Sequence, residues 1–389
     1  MPHVLHVITA LPVGGAQSQL YELARHRTAL GVDMSVVSLA ERGPMGERLA
    51  ALGVAVEGLG MRPARLEPGS CWRLARLIRR RRPDAVQTWL YHADLVGGLA
   101  ARAAGVPRVY WNIRQTDLSS AACRWGTRAV ARACAWLSAS LPDAIVCNSQ
   151  AALGVHAAFG YASGRLCLID NGVDLERFRP DPDAGARLRQ SLALPAGSRL
   201  IGLAARYHPH KDHAGFLAAA AAVARARADA VFVLCGEDVD EGNAALAALI
   251  ARHDLARRVR LLGSRTDMPG LLAAFDLAVS ASFSEGSPNA LIEAMAAGTP
   301  CVATDVGDCA RVLGDTGWLA PAQDPPALAA ALLSALAVPT AERARRGAAA
   351  RRRAEDRFAI DAMLRAYARL YAGYPALATP TPTASTSRP

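Results

Sequence analysis

Residues 282–302, SFSEGSPNALIEAMAAGTPCV, constrain the fold more than any other stretch of the chain. An apolar run at residues 277–281 precedes them and reads as a short buried strand. Glu285-Gly286-Ser287-Pro288 reads as a loop feeding a helix. Ser287 suits the N-cap, and Pro288 suits the first helical position, where a missing N–H costs nothing. The helix is expected over residues 289–297, with Gly298 as its stop and Thr299-Pro300 beyond. A second apolar run follows at once, at residues 301–303. The result is a strand–helix–strand unit whose helix N-terminus lies at the carboxyl end of a strand.

That arrangement suits an anion. The first backbone N–H groups of a helix are unpaired and carry partial positive charge, so a phosphate settles there. Gly286 permits close approach of backbone to ligand, and Ser287, Pro288, Asn289, Ala290 and Leu291 complete the candidate cradle. Two carboxylates bracket it, Glu285 in the loop and Glu293 within the helix. A carboxylate accepts paired hydrogen bonds from vicinal hydroxyls, the groups that ribose and sugar rings present. The alternative is a solvated loop charge and an ordinary exposed helix residue. For Glu293 the apolar neighbours Leu291, Ile292, Ala294, Met295 and Ala296 argue against it.

Apolar runs alternate with helical patterns along the rest of the chain. In the first half a strand at residues 3–9 leads through Gly14, Gly15 and Gln17 into a helix expected over 18–30. The glycine pair is not GxGxxG, so a dehydrogenase reading loses its main support. A helix at 70–82 ends in Arg79, Arg80, Arg81 and Arg82, which reads as a solvated helix end or, alternatively, a membrane-surface contact. A strand at 86–90 precedes His92, and a strand at 109–114 carries Trp111, Asn112 and Arg114, followed by Gln115 and Asp117. Polar residues at the carboxyl ends of successive strands point into the crevice where open α/β sheets bind ligands.

In the second half a strand at 200–204 leads to Arg206, His208, His210, Lys211 and His213. The irregular histidine spacing, with Pro209 inside it, is a poor metal pattern, and no metal site is expected. Arg206 and Lys211 are instead two cations at the mouth of a strand. Fixed cations there favour the transition state in which charge grows on a leaving diphosphate. Further strands at 231–235 and 259–262 lead to loops containing Gly236 and Gly263. A glycine-containing loop, residues 304–308, follows the strand at 301–303, and residues 325–374 read as helical.

These motifs resemble the retaining GT-B glycosyltransferases of family 4. The resemblance rests on Glu285-x7-Glu293, on VCNS at 146–149, on the hinge string NGVDLERF at 171–178 and on the Arg206/Lys211 pair. It implies an α/β fold of two doubly wound Rossmann-like domains facing an interdomain cleft. The acceptor-side domain would span 1–172 and the nucleotide-sugar domain 173–357. A helix at 358–374 would cross back to the first domain, leaving a disordered tail at 375–389. By the same resemblance Glu285 meets the donor sugar and Glu293 the ribose, while Arg206 and Lys211 stabilise the leaving group. Gly14, Gly15 and Gln17 border the active site, and Ser264, Arg265 and Met268 lie beside the base. Family members carry a His near the end of the 109–114 strand. This chain has none there, so His92 and Arg114 are the candidates for its place, His92 alternatively being a helix-start residue with a local hydrogen bond.

The expected reaction moves a sugar, with retention, from a nucleotide diphosphate, UDP-sugar rather than GDP-mannose, to an acceptor hydroxyl. A saccharide or lipid-linked saccharide acceptor in cell-surface polysaccharide synthesis is expected, with no cofactor beyond the nucleotide-sugar substrate. The 44 Lys and Arg against 34 Asp and Glu leave a net charge of +10, which favours anionic partners, an anionic membrane surface among them, or reflects Arg-rich composition alone. No window approaches the ~18 apolar residues of a membrane span. Absence of a secretory signal and eight scattered Cys point to a cytoplasmic protein, peripheral on the inner face of the cell membrane. Rival readings are a GT-B nucleotide-sugar epimerase, a silent nucleotide-sugar-binding module, and a nucleic-acid binder. The last lacks any aromatic stacking platform or reading module, so no nucleic acid is expected.

Overall fold

The computed structural model describes residues 1–61, 68–118 and 125–374, so the expected tail lies outside the described residues. The chain divides into two compact units, Met1–Asp170 with Met363–Pro389, and Asn171–Ala362.

The first unit opens with β1 (His3–Ile8), α1 (Gly15–Arg25), α2 (Arg27–Leu30), β2 (Asp33–Ser38), α3 (Gly43–Ala51) and β3 (Ala55–Gly58). It continues with α4 (Pro68–Arg81), β4 (Ala85–Trp89), α5 (Tyr91–Ala103), β5 (Arg108–Ile113) and α6 (Trp125–Leu137). β6 (Ala144–Cys147), α7 (Gln150–Phe159) and β7 (Leu166–Leu168) complete it. Its seven strands form one sheet in the order β3-β2-β1-β4-β5-β6-β7, and every pairing is parallel.

The second unit contains α8 (Ala184–Ser191), β8 (Arg199–Ala204), α9 (His213–Ala226), β9 (Ala230–Cys235), α10 (Ala244–Arg252), β10 (Val259–Leu261) and α11 (Met268–Ala274). β11 (Leu277–Ser280), α12 (Asn289–Ala296), β12 (Cys301–Thr304), α13 (Cys309–Leu313) and β13 (Trp318–Ala320) follow. Then come α14 (Pro325–Ala337), α15 (Thr340–Phe358) and α16 (Ile360–Tyr371), of which the part from Met363 belongs to the first unit. The second sheet is also parallel, in the order β10-β9-β8-β11-β12-β13.

Parallel strands are covered by helices on both faces, which is why they read as continuous apolar runs rather than alternating ones. All five residues of β4 and all six of β9 are buried. Caps fix several helix starts: Ser149 accepts from Ala152 N, Asn243 from Leu246 N and Asp324 from Ala327 N. The first helix begins at Gly15 rather than at residue 18, and it breaks at His26 before the short α2. Among the described residues no single helix is long and apolar enough to cross a membrane. Only α14 and α15 together pass that test, by length and composition, and they are bent by 110°.

Candidate active site

The order of the second sheet places β8, its first strand in sequence, between β9 and β11. The strand order reverses at the β8–β11 step, and ligands of open α/β sheets bind outside the carboxyl ends of the strands at such a step. The loop after β8 carries Arg206 and Lys211, and the loop after β11 carries Glu285. Lys211 Nζ donates to Glu285 Oε1 at 2.5 Å, and Ser282 Oγ donates to the same oxygen at 2.6 Å. Glu285 is only 11% exposed.

Local structure pins both partners. Asp212, at a φ of +47°, caps α9 by accepting from Gly215 N at 2.9 Å, which fixes the backbone one residue after Lys211. Phe283 N donates to His210 O at 3.0 Å, and the two rings meet edge-on at 5.3 Å, so the first two loops are tied together. The loop after β12 joins them. Asp308 N donates to Gly286 O at 3.2 Å, and Thr304 Oγ1 donates to Ser282 O at 2.5 Å. Gly307, at a φ of +55°, passes so close that a Cβ there would lie 1.9 Å from Glu285 O. Three loops thus hold one carboxylate and one ammonium. An ammonium has three donors, so a bond to Glu285 leaves Lys211 capacity for further oxygen acceptors.

The helix after this loop begins at Asn289, within the expected span, but its cap falls one residue later than Ser287. Pro288 is its N-cap and Asn289 its first residue, whereas Ser287 precedes the cap, its Oγ buried without a hydrogen-bond partner. Pro288 sits at φ −81°, ψ 87°, outside the helical range, so Ser287 cannot serve as the N-cap. Leu291 N and Ile292 N both close back on Pro288 O, and Asn289 Oδ1 accepts from Asn171 Nδ2 at 2.6 Å. Leu291 and Ile292 face the core, while Asn289, Ala290 and Glu293 are half-exposed. Residues three and four apart share a helix face, so Glu293 stands on the same stripe as Asn289 and Ala290. Helical side chains also lean toward the N-terminus, which brings Glu293 over the opening turn.

The other expected residues are placed less centrally. Arg206 is exposed at the start of the Lys211 loop, and its charge, after burial, helps to hold the His208 pKa below the ordinary value. His208 and His210 meet edge-on, and His213 is buried against Tyr207, with burial depressing its pKa to about 4. Among the described residues no group of three or more His, Cys, Asp or Glu is arranged to hold a metal. Arg265 makes a two-pronged ion pair with Asp267 after β10, two strands from β8.

In the first unit the switch falls between β1 and β4. Gly14 caps α1 in an extended conformation and Gly15 opens the helix. The Gln17 side chain folds back to donate to Ala10 O at 3.0 Å, and a Cβ on Gly14 would lie 2.7 Å from Gln17 Oε1. The absence of a side chain at Gly14 therefore makes room for Gln17. His92 is the second residue of α5, half-buried at the same switch, and burial lowers its pKa.

Asn112 is fully buried and Arg114 half-buried, and both are held by the last helix, where the sequence suggested an open crevice. Tyr367 OH accepts from Asn112 Nδ2 at 3.0 Å and from Arg114 Nη2 at 3.1 Å. The Arg114 guanidinium also lies 4.6 Å over the Trp89 ring. Tyr371 OH donates to Gln87, and Tyr110 OH donates to Leu370 O at 2.7 Å. Both residues belong to a polar seam that fastens the last helix to the first sheet. Side chains alternate along a strand, so 112 and 114 share the face that this helix covers.

Two family models match the chain. Residues 13–177 match the model described as glycosyltransferase family 4, and residues 198–337 the one described as glycosyl transferases group 1. The chain belongs to the group 1, family 4 glycosyltransferases. The chain is 29% identical over 237 residues to the Escherichia coli UDP-Gal:alpha-D-GlcNAc-diphosphoundecaprenol alpha-1,3-galactosyltransferase, covering 60% of each chain. It is 28% identical over 357 residues to a D-inositol 3-phosphate glycosyltransferase of Catenulispora acidiphila, covering 84% of this chain and 82% of that one. The match thus spans under two thirds of the first relative's length. Among solved structures, Anabaena HepE in complex with UDP superposes with a TM-score of 0.83 at 22% identity, covering 96% of this chain and all of that one. The chain therefore has the two-domain α/β fold called GT-B.

Ser282, Thr304 and Asn171 open stretches that the sequence marks, but none of them is a candidate site residue there. Only the three-residue spacing of Ser282 from Glu285 could have pointed to their bond. The other two reach the site through tertiary packing.

Proposed function

We propose that the chain transfers a sugar from a nucleotide diphosphate, UDP-sugar in preference to GDP-sugar, to a hydroxyl of a saccharide or lipid-linked saccharide. The observation that carries this reading is the Lys211–Glu285 pair, braced by Ser282 at the switch point beside the α12 N-terminus. The named activity of the E. coli relative, and the UDP bound by the Anabaena neighbour, favour uridine and a lipid diphosphate acceptor in surface polysaccharide synthesis.

In this reading the diphosphate rests on the opening turn of α12, where N–H groups and the helix dipole meet it. Lys211, with Arg206 at the rim, neutralises charge as it grows on the leaving oxygen, so the stabilisation is larger in the transition state than in the ground state. Glu285 accepts from hydroxyls of the donor sugar, and its own bond to Lys211 couples sugar position to phosphate position. Glu293, on the stripe above the opening turn, accepts from the ribose. These groups supply the positive charge and orientation, so the reading requires neither metal nor cofactor. His92, Gly14 and Gly15 serve the acceptor side. With no carboxylate assigned to attack from that side, the leaving phosphate takes the acceptor proton and the sugar keeps its configuration. A lipid-linked acceptor would set the reaction at the cytoplasmic face of the membrane.

The test is a melting panel with UDP, GDP, ADP and uridine on wild type, Lys211→Ala and Glu293→Ala. A ligand of the folded state at a hundred times its Kd adds about 2.7 kcal/mol. UDP should raise Tm selectively. Lys211→Ala should weaken the UDP shift and spare uridine, whereas Glu293→Ala should weaken both. No shift with any nucleotide, or identical shifts in all three proteins, would overturn the proposal. Inverted stereochemistry in the product, read by NMR of the anomeric proton, would overturn retention.

A further inference from the structure

We infer that the helix layer of the first unit formed by α4, α5 and α6 is a docking surface for an anionic phospholipid bilayer. α5 packs against α4 on one side and α6 on the other, so the three share one layer. On α6, Trp125 is 87% exposed and Trp136 83% exposed, and on α4 Trp72 is 62% exposed. Three bare indoles on one layer are unusual, because large apolar side chains left in water mark a surface with a partner.

The pattern along α6 is regular. Trp125, Arg128, Ala129, Arg132 and Trp136 are all exposed, and their spacing of three and four residues makes them one stripe. The two indoles stand roughly 16 Å apart at its ends, at 1.5 Å per residue, with two guanidinium groups between them. Arg132 lies 4.3 Å over the Phe159 ring, and on α4 Arg76 lies 5.7 Å from the Trp72 ring, so cations and aromatic rings are interleaved. Arg80 is also exposed on α4, and Leu99 of α5 is exposed between the two flanking helices. Neither α4 nor α6 contains an acidic residue, and the only one in α5, Asp94, is fully buried.

That chemistry selects the occupant. Indoles settle at the headgroup level of a bilayer, and arginines meet lipid phosphates while their stems cover apolar surface. A second copy fits poorly, since a two-fold contact would set this acid-free face against itself, arginine to arginine. The inference does not rest on sugar transfer. A vesicle assay needs neither donor nor acceptor, so the two readings fail separately.

Flotation with vesicles of phosphatidylcholine alone, and of phosphatidylcholine mixed with phosphatidylglycerol, tests it. Wild type should float with the mixed vesicles only, and vesicles carrying bromine on their acyl chains should quench its tryptophan emission. Trp125→Ser with Trp136→Ser should lose most of that quenching, and Arg128→Ala with Arg132→Ala should weaken flotation about tenfold or more. Both double variants change exposed side chains and should melt as wild type does. Failure of wild type to float, or flotation indifferent to both pairs, would overturn the inference. So would a dimer abolished by the tryptophan pair without any vesicle binding, which would assign the face to a second copy.

Discussion

Glu285 Oε1 takes both the Lys211 ammonium and the Ser282 hydroxyl, while Gly307 lets the neighbouring loop approach its backbone. Gly307 and Gly263 make a controlled comparison, because both lie at positive φ, +55° and +62°. A Cβ at Gly263 would meet nothing nearer than 3.7 Å, but at Gly307 it would meet backbone oxygen. Left-handed backbone costs an alanine roughly 1–2 kcal/mol. Gly263→Ala should therefore destabilise by about that amount in urea unfolding. Gly307→Ala should cost at least about 2 kcal/mol and should in addition lower UDP affinity, because Glu285 must shift. Equal losses in the two variants would contradict the close packing of these loops. At this scale the sequence placed Glu285 and Lys211 in loops at strand ends, where the structure joins them, and Glu293 in an apolar helix, where the structure leaves it half-exposed. The bond of Arg114 to Tyr367 was not legible, because a strand end open to a crevice and one covered by a distant helix look alike in sequence.

At the scale of the element, α15 explains a basic run that sequence alone leaves open. Its arginines close the ends of other helices. Arg343 donates to Leu336 O and Val338 O behind α14, and Arg353 to Val312 O and Arg311 O in α13. Arg351 donates to Ala296 O at the end of α12 and to Phe178 O and Leu175 O in the segment after Asn171. Cations at helix C-termini answer unpaired carbonyls and the dipole together. Arg351→Met should cost about 2–3 kcal/mol, since hydrogen bonds to a charged group are worth more than neutral ones. Lysine should not restore it, because one ammonium cannot reproduce a planar fork across three carbonyls. Denaturant midpoints of the three proteins check this, and full rescue by lysine would contradict it. The elements themselves were largely legible, since parallel strands are short apolar runs punctuated by Gly and Pro. The cap of α12 falls on Pro288 and not on Ser287, because Ser-Pro satisfies the rules for two adjacent cap positions. The α6 helix went unread because alanine, valine and cysteine carry its inner face while tryptophans stand outside, which inverts the usual periodicity.

At the scale of the molecule, two parallel sheets each reverse strand order after their first strand. Alternating runs in the sequence implied doubly wound halves, but the strand order comes from tertiary packing. Only that order shows that the loops after β8 and β11 are neighbours, and that those after β1 and β4 are too. The central claim is that the β8–β11 site moves a sugar from a nucleotide diphosphate to an acceptor. The most direct measurement is UDP release from a panel of UDP-sugars, with and without lipid-linked saccharide acceptors, by wild type and Lys211→Ala. The account predicts release that depends on the acceptor and a kcat about 10²–10³ lower in the variant, the usual loss when one preorganised charge partner is removed. Donor consumed without any acceptor, leaving an epimerised sugar still joined to UDP, would contradict it.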